Sequence, residues 1–189
     1  VMAASDEAEL VRMINTSVGI NDSPCAFRYP RGNGIGIELP DIHEKIEIGK
    51  GRLVQEGTTV CILNFGARLN ECKDAAKKLQ PKGITTTIVD ARFAKPLDQE
   101  LIIRCAREHE MLITIEEGSI GGFGSHVSHL LSEKGFFYSY MIQSPEKKLL
   151  PTKGERVVFK YKIEDLEKKI IYNYFDDFLS CNTTNFDIC

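Results

Sequence analysis

From Thr58 onward the chain alternates short β-branched runs with stretches of helical period, and this alternation restricts the fold more than any other feature. TTVCILNF (58–65), TTTIVDAR (85–92), MLITIEE (111–117) and FFYSYMI (136–142) read as strands. Between them, a helix over about 67–80 carries Leu69, Cys72, Ala76 and Leu79 on one stripe and Lys73, Lys77 and Lys78 outside it, with Pro81 and Gly83 as its stop. Pro96 and Asp98 open a second helix bearing Leu101, Ile102 and Cys105. A third, over about 122–133, turns Val127, Leu130 and Leu131 inward. Strands and helices of these lengths make parallel βαβ units, so the expected class is α/β, with an open, mostly parallel sheet covered on both faces.

The flanks read differently. Ser5 is expected to cap a first helix, with Asp6 and Glu7 in its first turn and Leu10, Met13, Ile14 and Ser17 at helical spacing. Gly19, Asn21, Asp22 and Pro24 end it, and CAFRYP (25–30) follows as a short strand. One helix and one strand cannot close a core. Residues 1–40 are therefore expected to be the tail of a larger domain whose beginning is missing, residues 41–57 a linker, 58–180 the main domain and 181–189 a tail. SPEKKLLPTKGERVV (144–158) reads as an irregular connection. KIEDLEKKIIYNYFDDFL (162–179) is an amphipathic helix that either closes the sheet or binds a partner.

Composition excludes several classes. With 24 Lys+Arg against 27 Asp+Glu, a net charge of −3 and no Trp, nucleic acid is not the expected partner. No apolar run nears the roughly 20 residues that span a bilayer. The six cysteines include no C-x-x-C pair, which fits neither a zinc knuckle nor a disulfide scaffold and points to a reducing compartment.

Two segments could carry chemistry. FRYPRGNG (27–34) sets two arginines around a proline before a glycine-rich bend. A planar guanidinium grips two oxygens of a phosphate or carboxylate, and glycines let backbone approach. A solvated or interdomain arginine is the competing reading. EEGSIGGFGSHVSHLL (116–131) places Glu116 and Glu117 at the carboxyl end of a strand, the usual ligand edge of a parallel sheet. Its G-x-x-G-G-x-G either cradles an anion at a helix N-terminus or is only a tight turn. It is neither the dinucleotide fingerprint nor a P-loop. His126 and His129 lack a third metal ligand at motif spacing, which favours packing over coordination. Asp90, Arg92 and Lys95 could line the same edge, with surface ion pairing as the default.

Read together, FRYPRGNGIGIELP, EIGKGRLVQEGTTVCILNFG, VDARFAKPLDQELI and HEMLITIEEGSIGGFGSHVSHLL resemble the 1-deoxy-D-xylulose-5-phosphate synthase family of the transketolase superfamily, in order over roughly residues 1–135. The resemblance implies a thiamine-diphosphate- and Mg2+-dependent transferase that condenses pyruvate with glyceraldehyde 3-phosphate, releasing CO2, at the entry to non-mevalonate isoprenoid synthesis. It implies a three-layer α/β/α C-terminal domain, preceded by the last helix and strand of a pyrimidine-binding domain. Arg31, in PRGN, matches the sugar-phosphate-binding arginine, with Arg28 and Tyr29 beside it. Gly121, Gly122, Gly124, His126 and His129 fall where interdomain and dimer contacts are expected.

The diphosphate and Mg2+ motif, the pyrimidine-domain glutamate and the proton-handling histidines of the family are not in these residues. The segment alone is therefore expected to bind no cofactor or metal, to carry no catalytic residue and to be inactive, working with N-terminal domains in a homodimer. After about Gly135 the family's L-P-D-x-[FY]-[IL]-x-H-G segment is replaced by QSPEKKLLPTKGERVV, so no role is carried beyond Tyr140. The alternatives are a free-standing assembly or regulatory module with this fold, or another superfamily enzyme such as a transketolase or the β subunit of a 2-oxo-acid dehydrogenase. The family's compartments are the bacterial cytoplasm and plastids or plastid-derived organelles, and the Asn-, Lys- and Tyr-bearing tail favours the latter.

Overall fold

The computed structural model describes residues 1–117, 121–136, 140–143 and 159–160, the last two spans as backbone only. The expected closing helix 162–179 and the tail lie outside the described residues. Two short parallel strands, β1 (Met2–Ala3) and β2 (Phe27–Arg28), flank helix α1 (Glu7–Val18). The main sheet then takes β3 (Arg52–Gln55), β4 (Val60–Phe65), β5 (Thr86–Asp90), β6 (Met111–Glu116), β7 (Tyr140–Gln143) and β8 (Phe159–Lys160). Their spatial order is β3-β5-β4-β6-β7-β8, parallel throughout except for β3. Helices α2 (Leu69–Leu79), α3 (Gln99–Glu108) and α4 (Phe123–Glu133) make the crossovers.

Strand pleating sorts the core into two layers. On one face, Val60, Ile62, Ile88, Ile113 and Ile115 pack under α2 through Leu69, Cys72, Ala76 and Leu79. On the other, Cys61, Leu63, Phe65, Val89 and Leu112 meet Ile102 and Cys105 of α3 and Phe123, Val127 and Leu131 of α4. Every residue of β4 and β6 is buried, as a strand covered on both faces requires. A third cluster (Met2, Met13, Ile46, Phe93) seats α1 against β1 and the chain leaving β5.

Two local readings are corrected. Asp6, not Ser5, caps α1 by accepting from the Glu9 N–H at 2.8 Å. Ser5 instead donates its hydroxyl to Asp90, 85 residues away, at 2.7 Å. The stretch expected to be a linker supplies β3, whose Arg52 and Leu53 pair antiparallel with Asp90 and Val89. Beyond β7, Phe159–Lys160, which lie between the expected connection and the expected closing helix, add a parallel strand.

Candidate functional site

The carboxyl ends of β4 and β6 form the edge at which Arg28, Lys95, Glu116, Glu117 and Gly122 gather. β1 lies between β2 and the chain leaving β5. Met2 and Ala4 N–H donate to Ala26 and Arg28 carbonyls, while the Ala3 N–H donates to the Arg92 carbonyl. That pairing delivers Arg28 to the end of β4. Its guanidinium lies 5.7 Å from the Phe65 ring centroid and donates to the Glu117 carbonyl. Phe65 in turn stacks on Phe123 of α4 at 5.0 Å. A cleft of about 350 Å³ opens here between Arg28, Phe65, Lys95, Gly122 and His126. A smaller one of about 70 Å³ adjoins it, lined by Arg28, Tyr29, Gly66 and Glu117.

The glycine-rich turn does cradle an anion, and that anion belongs to the chain. The Glu116 carboxylate, 3% exposed, accepts from the Phe123 and Gly124 N–H groups at 3.0 Å each and so caps α4. A Cβ on Gly122 would lie 2.5 Å from Glu116 Oε2, so any larger residue there would displace the buried carboxylate. Glu117 points elsewhere, meeting Arg68 at 2.5 Å, while Arg68 also holds Glu71 at 2.9 Å.

The other singled-out residues are dispersed. Gly121 is exposed and its N–H bonds the Ser125 hydroxyl at 3.2 Å. His126 lines the cleft, whereas His129 is exposed with Nε2 3.3 Å from Glu133 Oε1. Among the described residues no group of three His, Cys, Asp or Glu side chains is placed to hold a metal ion. Arg31 sits on an exposed loop and makes no hydrogen bond or ion pair with any described residue. Tyr29 is 60% exposed, its ring 6.4 Å from that of Phe27.

Asp90 and Arg92 are not a surface pair. They belong to a buried network centred on Glu9, whose side chain is fully enclosed. Arg92 grips Glu9 with two bonds of 2.7 and 2.8 Å. Arg12 reaches Glu9 at 2.9 Å, and Arg52 joins Glu9 at 3.4 Å to Asp90 at 3.0 Å. Burial alone would raise the pKa of Glu9, but the Arg92 fork and the charges of Arg52 and Arg12 hold it below the ordinary value. For Asp90 burial prevails over the Ser5 bond and Arg52, and the pKa rises. The network ties α1, β3 and β5 together and so fixes the base from which β2 presents Arg28.

In the sequence Glu7 is only a charge in a first helical turn. In the structure its carboxylate also accepts the backbone N–H groups of Ile35, Gly36 and Ile37 at 3.1, 2.6 and 3.1 Å. No local spacing announces that contact, which spans about thirty residues.

Residues 49–144, just over half of the chain, match the family model described as transketolase, C-terminal domain. A solved structure described as a split-gene transketolase in an inactive β4 tetramer is 29% identical with a TM-score of 0.67, over 77% of this chain and 48% of that one. This chain thus spans about half the length of that transketolase chain. A 2-oxoglutarate:ferredoxin oxidoreductase from Magnetococcus marinus, with 2-oxoglutarate, coenzyme A and succinyl-CoA bound, is 13% identical over 65% of this chain and 19% of its own, with a TM-score of 0.42, too low to bear on the argument. With its mostly parallel sheet, crossover helices and occupied glycine turn, this chain belongs to the transketolase C-terminal domain family.

Proposed function

We propose that this chain is the C-terminal portion of a 1-deoxy-D-xylulose-5-phosphate synthase, in which it packs against diphosphate- and pyrimidine-binding domains within a homodimer and helps hold the phosphate of glyceraldehyde 3-phosphate. The motif strings of residues 27–131 and the family membership support the reading. The observation that carries it is the segment from Tyr29 to Ile48. Within twenty residues Tyr29, Ile35, Leu39, Ile42 and Ile48 are each more than half exposed. So dense an apolar surface is one that further polypeptide covers, and Arg31 lies within it with no partner among the described residues. The proposed compartment is a plastid or plastid-derived organelle.

The described residues do not fit thiamine diphosphate and Mg2+. The backbone N–H groups at the start of α4 are filled by Glu116, those at the starts of α1 and α3 by Asp6 and Asp98, and Glu9, Asp90 and Glu117 are committed to arginines. No step through the cofactor is therefore assigned to this chain. What its residues supply is anion binding: Arg31 offers an uncommitted guanidinium, whereas Arg28 already gives part of its fork to Glu117. The two together suit a dianion on a small, otherwise neutral sugar.

A second reading, assembly without chemistry, draws support from the similar split-gene transketolase chain, which forms an inactive tetramer. Mixing this chain with an N-terminal synthase fragment that carries the diphosphate and pyrimidine domains separates the two. CO2 release from pyruvate dependent on glyceraldehyde 3-phosphate is expected only in the mixture. A stable but inert complex would instead establish the assembly role.

A further inference from the structure

The loop that carries Arg31 has almost nothing of its own to hold it. Residues 30–40 form no helix or strand and are nearly all exposed. Among the described residues, the hydrogen bonds that reach positions 29–40 are the three from Ile35, Gly36 and Ile37 N–H to the Glu7 carboxylate. The loop is shaped to receive that carboxylate. A Cβ on Gly34 would lie 2.7 Å from Glu7 Oε1, and Gly36 adopts φ +82°, where a side chain is strained. Three successive N–H groups converging on one anion form a backbone nest. Glu7 is itself held rigidly, being the first residue of α1, whose cap Asp6 lies 3.7 Å from Arg52 and whose buried Glu9 is gripped by Arg92. The Glu7 backbone N–H first, and then the loop's three N–H groups, lower the carboxyl's pKa below its ordinary value against the opposing effect of desolvation.

We propose that Glu7 is a positioning residue: its carboxylate fastens the 34–37 nest to the start of α1 and thereby holds Arg31 in place for the phosphate of the substrate. The proposal rests on the phosphate reading of Arg31 given above. Glutamate suits this role because its reach spans the gap from helix to loop and both oxygens accept. Glutamine keeps the length but loses the charge that the nest selects, and aspartate is one methylene short.

The test uses the assembled enzyme, this chain with its N-terminal complement, and three variants. R31A is expected to raise KM for glyceraldehyde 3-phosphate about 10- to 100-fold, the loss of one charge-assisted contact. E7Q is expected to raise the same KM about 3- to 10-fold while leaving kcat and the KM for pyruvate unchanged, and to add nothing in the R31A background. E7D should fall between E7Q and the parent. Amide exchange at residues 35–37 should accelerate at least about 10-fold in E7Q and stay unchanged in R31A. If R31A raises KM and E7Q does not, the role of Glu7 is overturned and the phosphate reading survives. If R31A itself leaves KM unchanged, the phosphate reading falls, and the positioning role with it. An E7Q variant that lowers kcat and raises both KM values together would mark a general loss of fold and also overturn the proposal.

Discussion

Replacing Glu9 with glutamine removes one negative charge from a fully enclosed position that three arginines share. The lost partners can be weighed from their geometry. Arg92 keeps only 14% of its side chain exposed and loses a bidentate ion pair of 2.7 and 2.8 Å, while Arg12 at 21% exposure loses a 2.9 Å contact. Breaking a buried pair by deleting one partner costs about 3–5 kcal/mol, because the other charge is left without compensation. Residual water at Arg12 and Arg52 puts E9Q near the lower end, about 3 kcal/mol. That corresponds to roughly a 100-fold smaller folding constant and a Tm lower by about 6–12 °C for a chain of this size.

Urea and thermal unfolding followed by circular dichroism measure both quantities. K77A offers a control, since the Lys77–Asp74 pair is 75% and 65% exposed and should contribute under about 0.5 kcal/mol. Substituting Arg92 should cost much less in the E9Q background than in the parent, because the charge it answers is already gone. The pH dependence has a definite sign. With its folded pKa below the ordinary value, Glu9 contributes stability at pH above about 4.3 and loses it as the pH falls through its folded pKa. Asp90, whose pKa burial raises, works in the opposite sense and loses stability as the pH rises through the carboxylate range. E9Q should therefore flatten the acid limb of the stability curve. An E9Q protein within about 1 kcal/mol of the parent, with an unchanged acid limb, would refute the idea that this network ties α1 to the sheet.

Other outcomes follow from single contacts. G122A forces a Cβ to within 2.5 Å of Glu116 Oε2, so the capping carboxylate must move, and denaturant unfolding should show a loss of about 1–3 kcal/mol. Of the four described cysteines, Cys25 is exposed while Cys61, Cys72 and Cys105 are buried, and burial raises the Cys72 pKa strongly. Maleimide labelling read by peptide mass spectrometry should therefore modify Cys25 rapidly and the other three only on unfolding.

The alternation of runs from Thr58 onward is enough to read β4, α2, β5, α3, β6 and α4 from the sequence, because strands buried on both faces are apolar throughout and their helices carry clean stripes. β3 escapes notice because RLVQ is four residues at an edge, half of them exposed, and exists only by pairing with β5. Ser5 and Asp6 are both good helix caps, and the choice between them is made by Asp90 far along the chain, so local propensity cannot decide it. The same limit applies at the site. The glycine turn is visible as anion-binding chemistry, since glycine spacing signals it, and residue type alone prompts the same expectation for FRYPRGNG. That the turn's anion is Glu116, or that Glu7 holds the Arg31 loop, depends on contacts made only once the sheet has brought distant segments together.

The most direct measurement is calorimetric titration of thiamine diphosphate with Mg2+ into the isolated 189-residue chain. A chain that supplies packing and phosphate binding to a larger enzyme, with its own carboxylates already committed, should give no binding at micromolar concentrations. A saturable micromolar site would contradict it.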